Sequence, residues 1–384
     1  MRIAMLGTRG VPACYGGFET AVEEIGQRLV GSGHEVTVYC RGSADRPTHH
    51  LGMDLVHLPA VHSRSVETLS HTALSVAHLL AGPRHDVAIV FNAANAPFLP
   101  ALRARGIPVA VHVDGLEWRR AKWNGAGRHY YRTAECLAVR WADALIADAE
   151  GIADYYREEF GAATELLSYG APLQFDVGAD RIAELGLDAR RYHLVVARFE
   201  PENHVLEIVS GYHRSDASLP LVVVGSAPYS DDYTARIRAA AQDDPRIMML
   251  GGVWDQAQLD ELYGNALTYL HGHSVGGTNP SLLRAMGAGT SVIAFDVVFN
   301  REVLGADGEF FTDGRALASL VRAAEAAPLR QLALGERLRA RAASRYQWDE
   351  VATGYEHLLK RLSAGQTTQT RPSGHRRPSP RPRR

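Results

Sequence analysis

Residues 267–295 read LTYLHGHSVGGTNPSLLRAMGAGTSVIAF and contain a complete strand–loop–helix–strand unit. Leu267–Leu270 and Ser291–Phe295 are short apolar runs, which are typical of buried strands. Between them, Asn279 suits a helix N-cap and Pro280 suits the first helical position. Two buried strands joined by a helix indicate a parallel sheet that is covered on both faces.

The same alternation of apolar strand and amphipathic helix extends through the rest of the chain. Glu19–Val30 is predicted to be a helix because its apolar side chains recur on one face. Further strands are predicted at Arg2–Leu6, Glu35–Tyr39, Asp54–Leu58, Val87–Phe91, Pro108–Val113, Ala144–Ala147, Glu165–Leu167, His193–Val196, Leu219–Val224 and Arg246–Leu250. A stretch rich in Gly, Pro and Asp near Gly170–Leu187 separates two such series. We therefore predict an α/β protein with two Rossmann-like, doubly wound domains that face a central cleft.

The predicted domains are residues 1–175 and residues 176–345. A terminal helix over residues 346–364 is expected to return to the first domain, and residues 365–384 are expected to form a disordered basic tail. Residues 366–384 hold six arginines, four prolines and no acidic residue. Such a tail is either a solvated segment or an electrostatic contact with an anionic membrane surface or another polyanion. Near anionic lipid the attraction is worth about 1 kcal/mol per basic residue.

The composition indicates a globular protein. Of 384 residues, 46% are hydrophobic and 22% are charged, as in ordinary soluble domains. The 35 basic residues outside the tail are outnumbered by 43 acidic ones, which argues against nucleic acid as a partner. Cys14, Cys40 and Cys136 form no CxxC pair, so neither a disulfide framework nor zinc is expected. The longest apolar runs are too short for a membrane span or a signal peptide, so we expect a cytoplasmic protein.

The loop after the first strand, residues 7–19 (GTRGVPACYGGFE), is a candidate phosphate-binding loop. It lacks the GxGxxG pattern of dinucleotide sites. Gly16 and Gly17 immediately precede the predicted helix, where backbone N–H groups attract anions and glycine permits close approach. The loop also exceeds the usual length of about two to six residues. The alternative is a long loop that only reverses the chain.

A second candidate site is Gly276-Gly277-Thr278, between a strand and the N-terminus of the next helix. A nucleotide diphosphate would fit there. The alternative is a well-capped helix that binds no ligand. His271 and His273 would share one face of the strand, but no third metal ligand is apparent, and no metal is predicted.

Two further candidates follow predicted strands. Arg198 could place a permanent charge against a phosphate, or could form an ion pair with Glu200 or Glu202. Asp114 lies where another strand ends, which is a common position for a catalytic side chain.

Glu117 and Trp118 follow shortly after that strand. Together with the basic residues that come next, Glu117 could belong to a site or to a solvated helix start. Trp118 could pack in the core or stack on a sugar ring.

These motifs together resemble those of glycosyltransferase family 4, which has the GT-B fold, and of its subgroup with a rhamnosyltransferase-like amino-terminal domain. The likeness covers about residues 1–360. The matching stretches are Gly7–Pro12, Tyr15–Thr20, Val113–Trp118, Arg198–Asn203, Gly276–Leu283 and Phe299–Leu304.

The resemblance implies a retaining, metal-independent transferase that uses a nucleotide sugar and no cofactor. It implies catalytic roles for Asp114 and Arg198. The donor contacts that it implies are Gly16, Gly17, Arg198, Asn203, Gly276, Gly277, Thr278, Asn279 and Arg284. The acceptor-side positions are Tyr15, Glu19, Glu117 and Trp118. The acceptor would be a saccharide or lipid-linked saccharide of surface polysaccharide synthesis, and the subgroup suggests rhamnose as the sugar.

Two departures from the broader family concern the donor site. Gly276 and Arg284 occupy the positions of its Glu-x7-Glu motif, whose second glutamate contacts the donor ribose. Arg284 could bind phosphate, or could point away while another group takes the ribose. Asn203 stands where the broader family has a lysine. The alternative functions are a nucleotide-sugar epimerase with the same fold and a non-catalytic nucleotide-sugar-binding relative.

Overall fold

The structure is a computed structural model, which describes residues 1–13, 17–43, 46–61, 66–113, 115–120, 123–226 and 231–368. The chain forms two compact units: one comprises Met1–Tyr169 with Trp348–Arg384, and the other comprises Gly170–Gln347. No helix in the described ranges combines the length and apolar character needed to cross a membrane.

The first unit is built on an eight-stranded sheet. Its strands are β1 (Arg2–Leu6), β2 (Glu35–Arg41), β3 (His49–His50), β4 (Met53–Leu58), β5 (Val87–Phe91), β6 (Val109–Val113), β7 (Ala144–Ala147) and β8 (Glu165–Leu166). They lie in the order β3-β4-β2-β1-β5-β6-β7-β8, and all neighbouring pairs are parallel except β3 with β4. Strands β5, β6 and β7 are buried along their whole length, as a parallel sheet covered by helices requires.

The helices of this unit cover both faces of the sheet. They are α1 (Gly17–Gly31), α2 (Glu67–Ala81), α3 (Leu99–Ala104), α4 (Gly125–Trp141), α5 (Glu150–Phe160) and a carboxyl-terminal helix (Trp348–Ser363). The carboxyl-terminal helix packs beside α1. Arg28 Nε lies 2.6 Å from Asp349 Oδ1, and His34 Nε2 lies 2.8 Å from Glu356 Oε1. Tyr355 and Leu359 of this helix are buried, so apolar packing accompanies the polar contacts.

The second unit contains a six-stranded, fully parallel sheet. Its strands are β9 (His193–Val196), β10 (Leu221–Val224), β11 (Ile247–Gly251), β12 (Thr268–His271), β13 (Ser291–Phe295) and β14 (Glu309–Phe311). Its helices are α6 (Asp180–Ala183), α7 (Val205–His213), α8 (Asp231–Ala241), α9 (Gln256–Gly264), α10 (Pro280–Gly287), α11 (Val298–Leu304), α12 (Gly314–Ala326) and α13 (Pro328–Arg345). The strand order is β11-β10-β9-β12-β13-β14.

This order places a topological switch between β9 and β12. The chain runs outward from β9 through β10 to β11 and then returns to the other side of β9. The chain thus leaves β9 toward β10 and leaves β12 toward β13, in opposite directions along the sheet. Parallel α/β sheets bind ligands at the carboxyl ends of the strands beside such a switch. The expectation of an α/β protein with two sheet-based domains is confirmed, and both sheets are parallel apart from the β3–β4 pair.

Leu270 tests the packing of the second unit. Its side chain is fully buried in β12 and belongs to the hydrophobic core. Leu270→Ala is expected to lower the free energy of unfolding by about 2–5 kcal/mol, because it removes buried methyl groups and leaves a cavity. Leu329→Ala is the matched control, since Leu329 is 80% exposed, and its effect should stay within about 0.5 kcal/mol. Urea unfolding followed by circular dichroism measures the free energy of unfolding of both variants. An equal decrease in Leu270→Ala and Leu329→Ala would contradict this packing.

Candidate functional site

Arg198 lies two residues after the end of β9, beside the switch point of the second unit. Its side chain is half-buried. Within the described ranges, its guanidinium has neither a hydrogen bond nor an ion pair, so the alternative pairing with Glu200 or Glu202 is not formed. The backbone carbonyl of Arg198 instead accepts a hydrogen bond from Asn203 Nδ2 at 2.8 Å. A permanent positive charge that no described residue pairs with therefore lies just after the end of β9.

Asn203 connects this turn to the loop that follows β12. Its amide nitrogen donates to Arg198, so its oxygen faces His273 and lies 2.7 Å from His273 Nδ1. That contact assigns the proton to His273 Nδ1, because an amide oxygen can only accept. Asn300 Nδ2 donates to the backbone carbonyl of His273 at 2.9 Å. Sequence reasoning considered His273 only as a metal ligand and missed its role in joining the two loops.

The backbones of the two loops also touch directly. A Cβ on Gly272 would lie 2.1 Å from the carbonyl oxygen of Asn203, so only glycine fits there. His204 Nδ1 lies 2.7 Å from the Gly272 carbonyl oxygen, and the ring of His204 stacks on Phe295 with 4.0 Å between the centroids. These contacts fix the start of the segment that leads to α10.

The N-terminus of α10 has the predicted cap. Asn279 Oδ1 accepts hydrogen bonds from Ser281 N at 2.9 Å and Ser281 Oγ at 2.7 Å, and Pro280 is the first helical residue. Gly276 and Gly277 precede this cap, and Thr278 is buried. Helix N-terminal N–H groups therefore follow a glycine pair at the carboxyl end of β12, next to the strand that carries Arg198.

Arg284 is held by helix α9. Its Nη2 and Nε lie 2.5 Å and 3.1 Å from Asp260 Oδ1, and its Nη1 donates to Gln256 Oε1 at 3.0 Å. The guanidinium also lies 5.5 Å from the centroid of the Tyr263 ring. Asp260 thus neutralises the guanidinium charge of Arg284.

The candidate loop of the first unit packs tightly on β5. A Cβ on Gly7 would lie 2.3 Å from the carbonyl oxygen of Phe91, and Gly7 has a φ of +99°, so glycine is required there. Gly17 is the first residue of α1. Glu19 Oε1 accepts a hydrogen bond from Arg9 N at 3.0 Å, which joins α1 to the loop. Gly16 and Tyr15 lie outside the described residues.

Glu117 and Trp118 lie in a 3-10 turn after β6. Glu117 is buried, and its Oε2 lies 2.6 Å from Arg120 Nε, so the alternative of a solvated helix start is wrong. The Trp118 ring lies 5.1 Å from the guanidinium carbon of Arg119 and 5.0 Å from that of Arg132. Asp114 and residues 369–384 of the expected basic tail lie outside the described residues.

His112 lies near the end of β6 in an aromatic stack. Its ring centroid is 5.5 Å from that of Phe91 and 5.9 Å from that of Tyr169. Neither ring nitrogen finds a hydrogen-bond partner in another described residue. Burial lowers the pKa of His112 to about 3, because the charged form would be desolvated. The imidazole is therefore neutral at physiological pH.

Comparisons with known proteins identify the two halves of the chain. Residues 1–172 match a domain of unknown function, DUF1972, and residues 180–344 match the model "Glycosyl transferases group 1". The second match lies within the second unit. No curated protein gives a significant sequence match.

Solved structures of glycosyltransferases have the same fold. Sucrose-phosphate synthase from Thermosynechococcus elongatus is 21% identical, with 95% of this chain and 99% of that chain covered and a TM-score of 0.81. The HepE protein of Anabaena, in complex with UDP-glucose, is 16% identical with 95% and 100% covered and a TM-score of 0.73. A trehalose-phosphate synthase from Burkholderia xenovorans, in complex with glucose-6-phosphate, is 12% identical with 94% and 100% covered and a TM-score of 0.73. These similarities establish the GT-B fold.

His112 gives a pH-dependent prediction. The folded chain holds its pKa at about 3, whereas the unfolded chain has the ordinary value of 6.5, so the unfolded state binds the proton first as the pH falls. The buried imidazole of His112 therefore lowers the free energy of unfolding progressively as the pH falls from 6.5 to about 3. It has no effect at higher pH. At pH 5 the loss should be about 2 kcal/mol. His112→Phe should remove this loss, while His129→Gln, at an exposed site on α4, should not. Urea unfolding at pH 7 and pH 5 measures the difference, and identical pH dependence in wild type and His112→Phe would contradict it.

Proposed function

We propose that this protein transfers a sugar from a nucleoside-diphosphate sugar to a saccharide or lipid-linked saccharide acceptor. The observation that carries the proposal is the guanidinium of Arg198, which no described residue neutralises, at the β9–β12 switch point within the stretch that matches the group 1 glycosyltransferase model. The N-terminus of α10 follows the adjacent strand. A fixed cation beside helix N–H groups favours a diphosphate over a neutral ligand.

The chemistry of the donor explains this arrangement. When the glycosidic bond to the nucleotide breaks, negative charge grows on the leaving phosphate. Arg198 and the N–H groups preceding α10 would stabilise that charge more in the transition state than in the ground state, because they are already in place. We further propose that the transfer retains the anomeric configuration and needs no metal. Gly277, Thr278 and Asn279 would lie beside the diphosphate.

We also infer the classes of donor and acceptor from the structural neighbours, and the donor sugar from the family resemblance. HepE is described in complexes with UDP, glucose and UDP-glucose, and the trehalose-phosphate synthase in a complex with glucose-6-phosphate. They support a nucleotide-sugar donor and a saccharide acceptor. Rhamnose, which the resemblance to the rhamnosyltransferase-like subgroup suggests, would be supplied on a nucleoside diphosphate. A role in surface polysaccharide synthesis follows from the same resemblance.

Arg198→Gln tests the donor site. Calorimetry with UDP, dTDP, GDP and ADP should find one diphosphate that binds the wild type. Arg198→Gln should weaken its binding by about 1.5–3 kcal/mol, or roughly 10- to 100-fold, as expected for a lost charge-assisted hydrogen bond.

Arg191→Gln is the matched control. Arg191 is an exposed arginine just before the amino end of β9, at the opposite end of the strand from Arg198. Its replacement should leave the affinity unchanged. Equal binding by wild type and Arg198→Gln would contradict the proposed donor site.

Asp114→Asn tests the proposed reaction. A carboxylate at this position would accept the proton of the acceptor hydroxyl, or would stabilise positive charge on the sugar. Its loss should lower kcat by about 10²–10⁴-fold while the affinity for the nucleotide stays the same. Proton NMR of the wild-type product identifies the anomeric configuration. An inverted product would refute retention, and undiminished turnover by Asp114→Asn would refute the catalytic role. An isomerised donor formed without acceptor would indicate an epimerase.

A further inference from the structure

We propose that Trp254 stacks on the base of the nucleoside-diphosphate donor. The inference rests on the proposed transferase function and adds a base-binding residue to the donor site of the second unit. The group that the indole would take is a planar nucleobase, either purine or pyrimidine, because every base presents a flat π-face to an aromatic ring.

Trp254 differs from the other tryptophans in its exposure. In the described ranges, which contain all five tryptophans of the chain, only Trp254 is exposed, and its exposed fraction is 65%. Its indole N–H has no hydrogen-bond partner among those residues. Tryptophan is usually among the most buried side chains of a protein, since it carries a large apolar area. An exposed indole beside a ligand-binding edge therefore has a large face available for a flat partner.

The chain around Trp254 is held in place although the ring is exposed. Asp255, the next residue, caps α9: its Oδ1 accepts hydrogen bonds from Ala257 N at 2.9 Å and from Gln258 N at 3.3 Å. On the other side, the indole lies against Gly252, where a Cβ would be 3.2 Å from Trp254 Nε1. The segment of residues 252–255 is thus ordered without a ligand, so little conformational freedom is lost when a base stacks on the ring.

A row of backbone contacts joins the carboxyl ends of β11, β10 and β9. Gly225, which follows β10, donates its N–H to the carbonyl oxygen of Gly251, the last residue of β11, at 2.8 Å. A Cβ on Gly225 would lie 1.8 Å from the carbonyl oxygen of Ala197 and 3.0 Å from Phe199 Cε1, so only glycine fits. Arg198 lies between Ala197 and Phe199. The end of β11 is therefore two strand spacings, or about 10 Å, from the strand end that carries Arg198.

The start of α9 lies beside α10. Arg284, on α10, donates through Nη1 to Oε1 of Gln256, the first residue of α9, at 3.0 Å. Residues 252–255 therefore connect the end of β11 to a helix that packs beside α10, whose N-terminus would face the diphosphate. A base that is one ribose away from this diphosphate would lie within reach of the segment, and Trp254 is the only aromatic residue in it.

Trp254→Ala and Trp254→Phe test the stacking in the full-length chain. Calorimetry should show that Trp254→Ala weakens binding of the nucleoside diphosphate that the wild type prefers by about 5- to 150-fold, the range for one lost base–aromatic stack. Trp254→Phe should lose less, because a smaller aromatic ring remains. Inorganic pyrophosphate has no base, so both variants should bind it like the wild type. The nucleoside diphosphate lacks the transferred sugar, so the loss would not come from that sugar.

Phe175→Ala is the matched control. Phe175 is another exposed aromatic residue of the second unit, with an exposed fraction of 63%, and its ring centroid lies 4.7 Å from the guanidinium carbon of Arg339 on α13. Its replacement should leave the nucleotide affinity unchanged. All three variants should unfold at the same urea concentration as the wild type, because each replaced side chain is exposed.

Tryptophan fluorescence gives a second readout of the same contact. Trp254 is the only tryptophan between Gly170 and Gln347, the bounds of the second unit. A change in emission when the nucleoside diphosphate binds this unit should therefore come from Trp254 and should disappear in Trp254→Phe. An unaltered change in that variant would contradict the stacking.

The outcomes separate this proposal from the proposed function. Equal nucleotide affinity in the wild type and Trp254→Ala overturns the stacking, even if Arg198→Gln still loses affinity. An equal loss for pyrophosphate in Trp254→Ala also overturns it, because the effect would then not involve the base. Loss of affinity in Trp254→Ala without any loss in Arg198→Gln would instead contradict the phosphate assignment and support the base assignment. Absence of nucleotide binding by the wild type overturns the transferase proposal, and the stacking with it.

Discussion

The close approach of backbone to backbone at the carboxyl ends of the central strands is the constraint on which both sites depend. In the first unit, Gly7 packs against the carbonyl of Phe91, and in the second, Gly272 packs against the carbonyl of Asn203. Each contact leaves no room for a side chain, so the loops after adjacent strands are held together. The loop after β9 then places Arg198 beside the segment that leads to α10. The parallel sheet thus positions the guanidinium of Arg198, and the glycines allow the loops after adjacent strands to lie close together.

The strands of the sheet interior were predictable because their side chains are apolar on both faces. Arg2–Leu6, Val87–Phe91 and Ser291–Phe295 have the predicted bounds. Sequence reasoning missed β3 and β14, which have two and three residues and lie at sheet edges. Such short strands depend on pairing with a neighbour rather than on their own hydrophobic pattern, so periodicity does not reveal them. It also missed α5, although the buried Ile152, Tyr156 and Phe160 recur every four residues along one face of that helix.

Local features of the site were easier to predict than its long-range contacts. The cap formed by Asn279 depends only on residues that follow it directly, and the structure contains it. The partner of Arg284 is Asp260, 24 residues away on another helix, and no local pattern indicates that pair. The environment of Glu117 was difficult to predict for a similar reason. Its basic neighbours indicated a solvated helix start, whereas the fold buries Glu117 against Arg120. Side chains that act across elements are fixed by packing, which a single sequence does not display.

The charge at the proposed donor site comes from arginine rather than histidine. His271 lies in β12 near the loop to α10, but burial lowers its pKa to about 3, as it does for His112 in the first unit. Both rings are neutral at physiological pH and contribute shape and stacking instead of charge. Arg198 contributes the permanent positive charge of a guanidinium group. A diphosphate would supply the counter-charge that the second unit itself does not provide for Arg198 within its described residues. Binding of a diphosphate at the proposed donor site would therefore neutralise the Arg198 guanidinium and would also stabilise the folded chain through the same interaction.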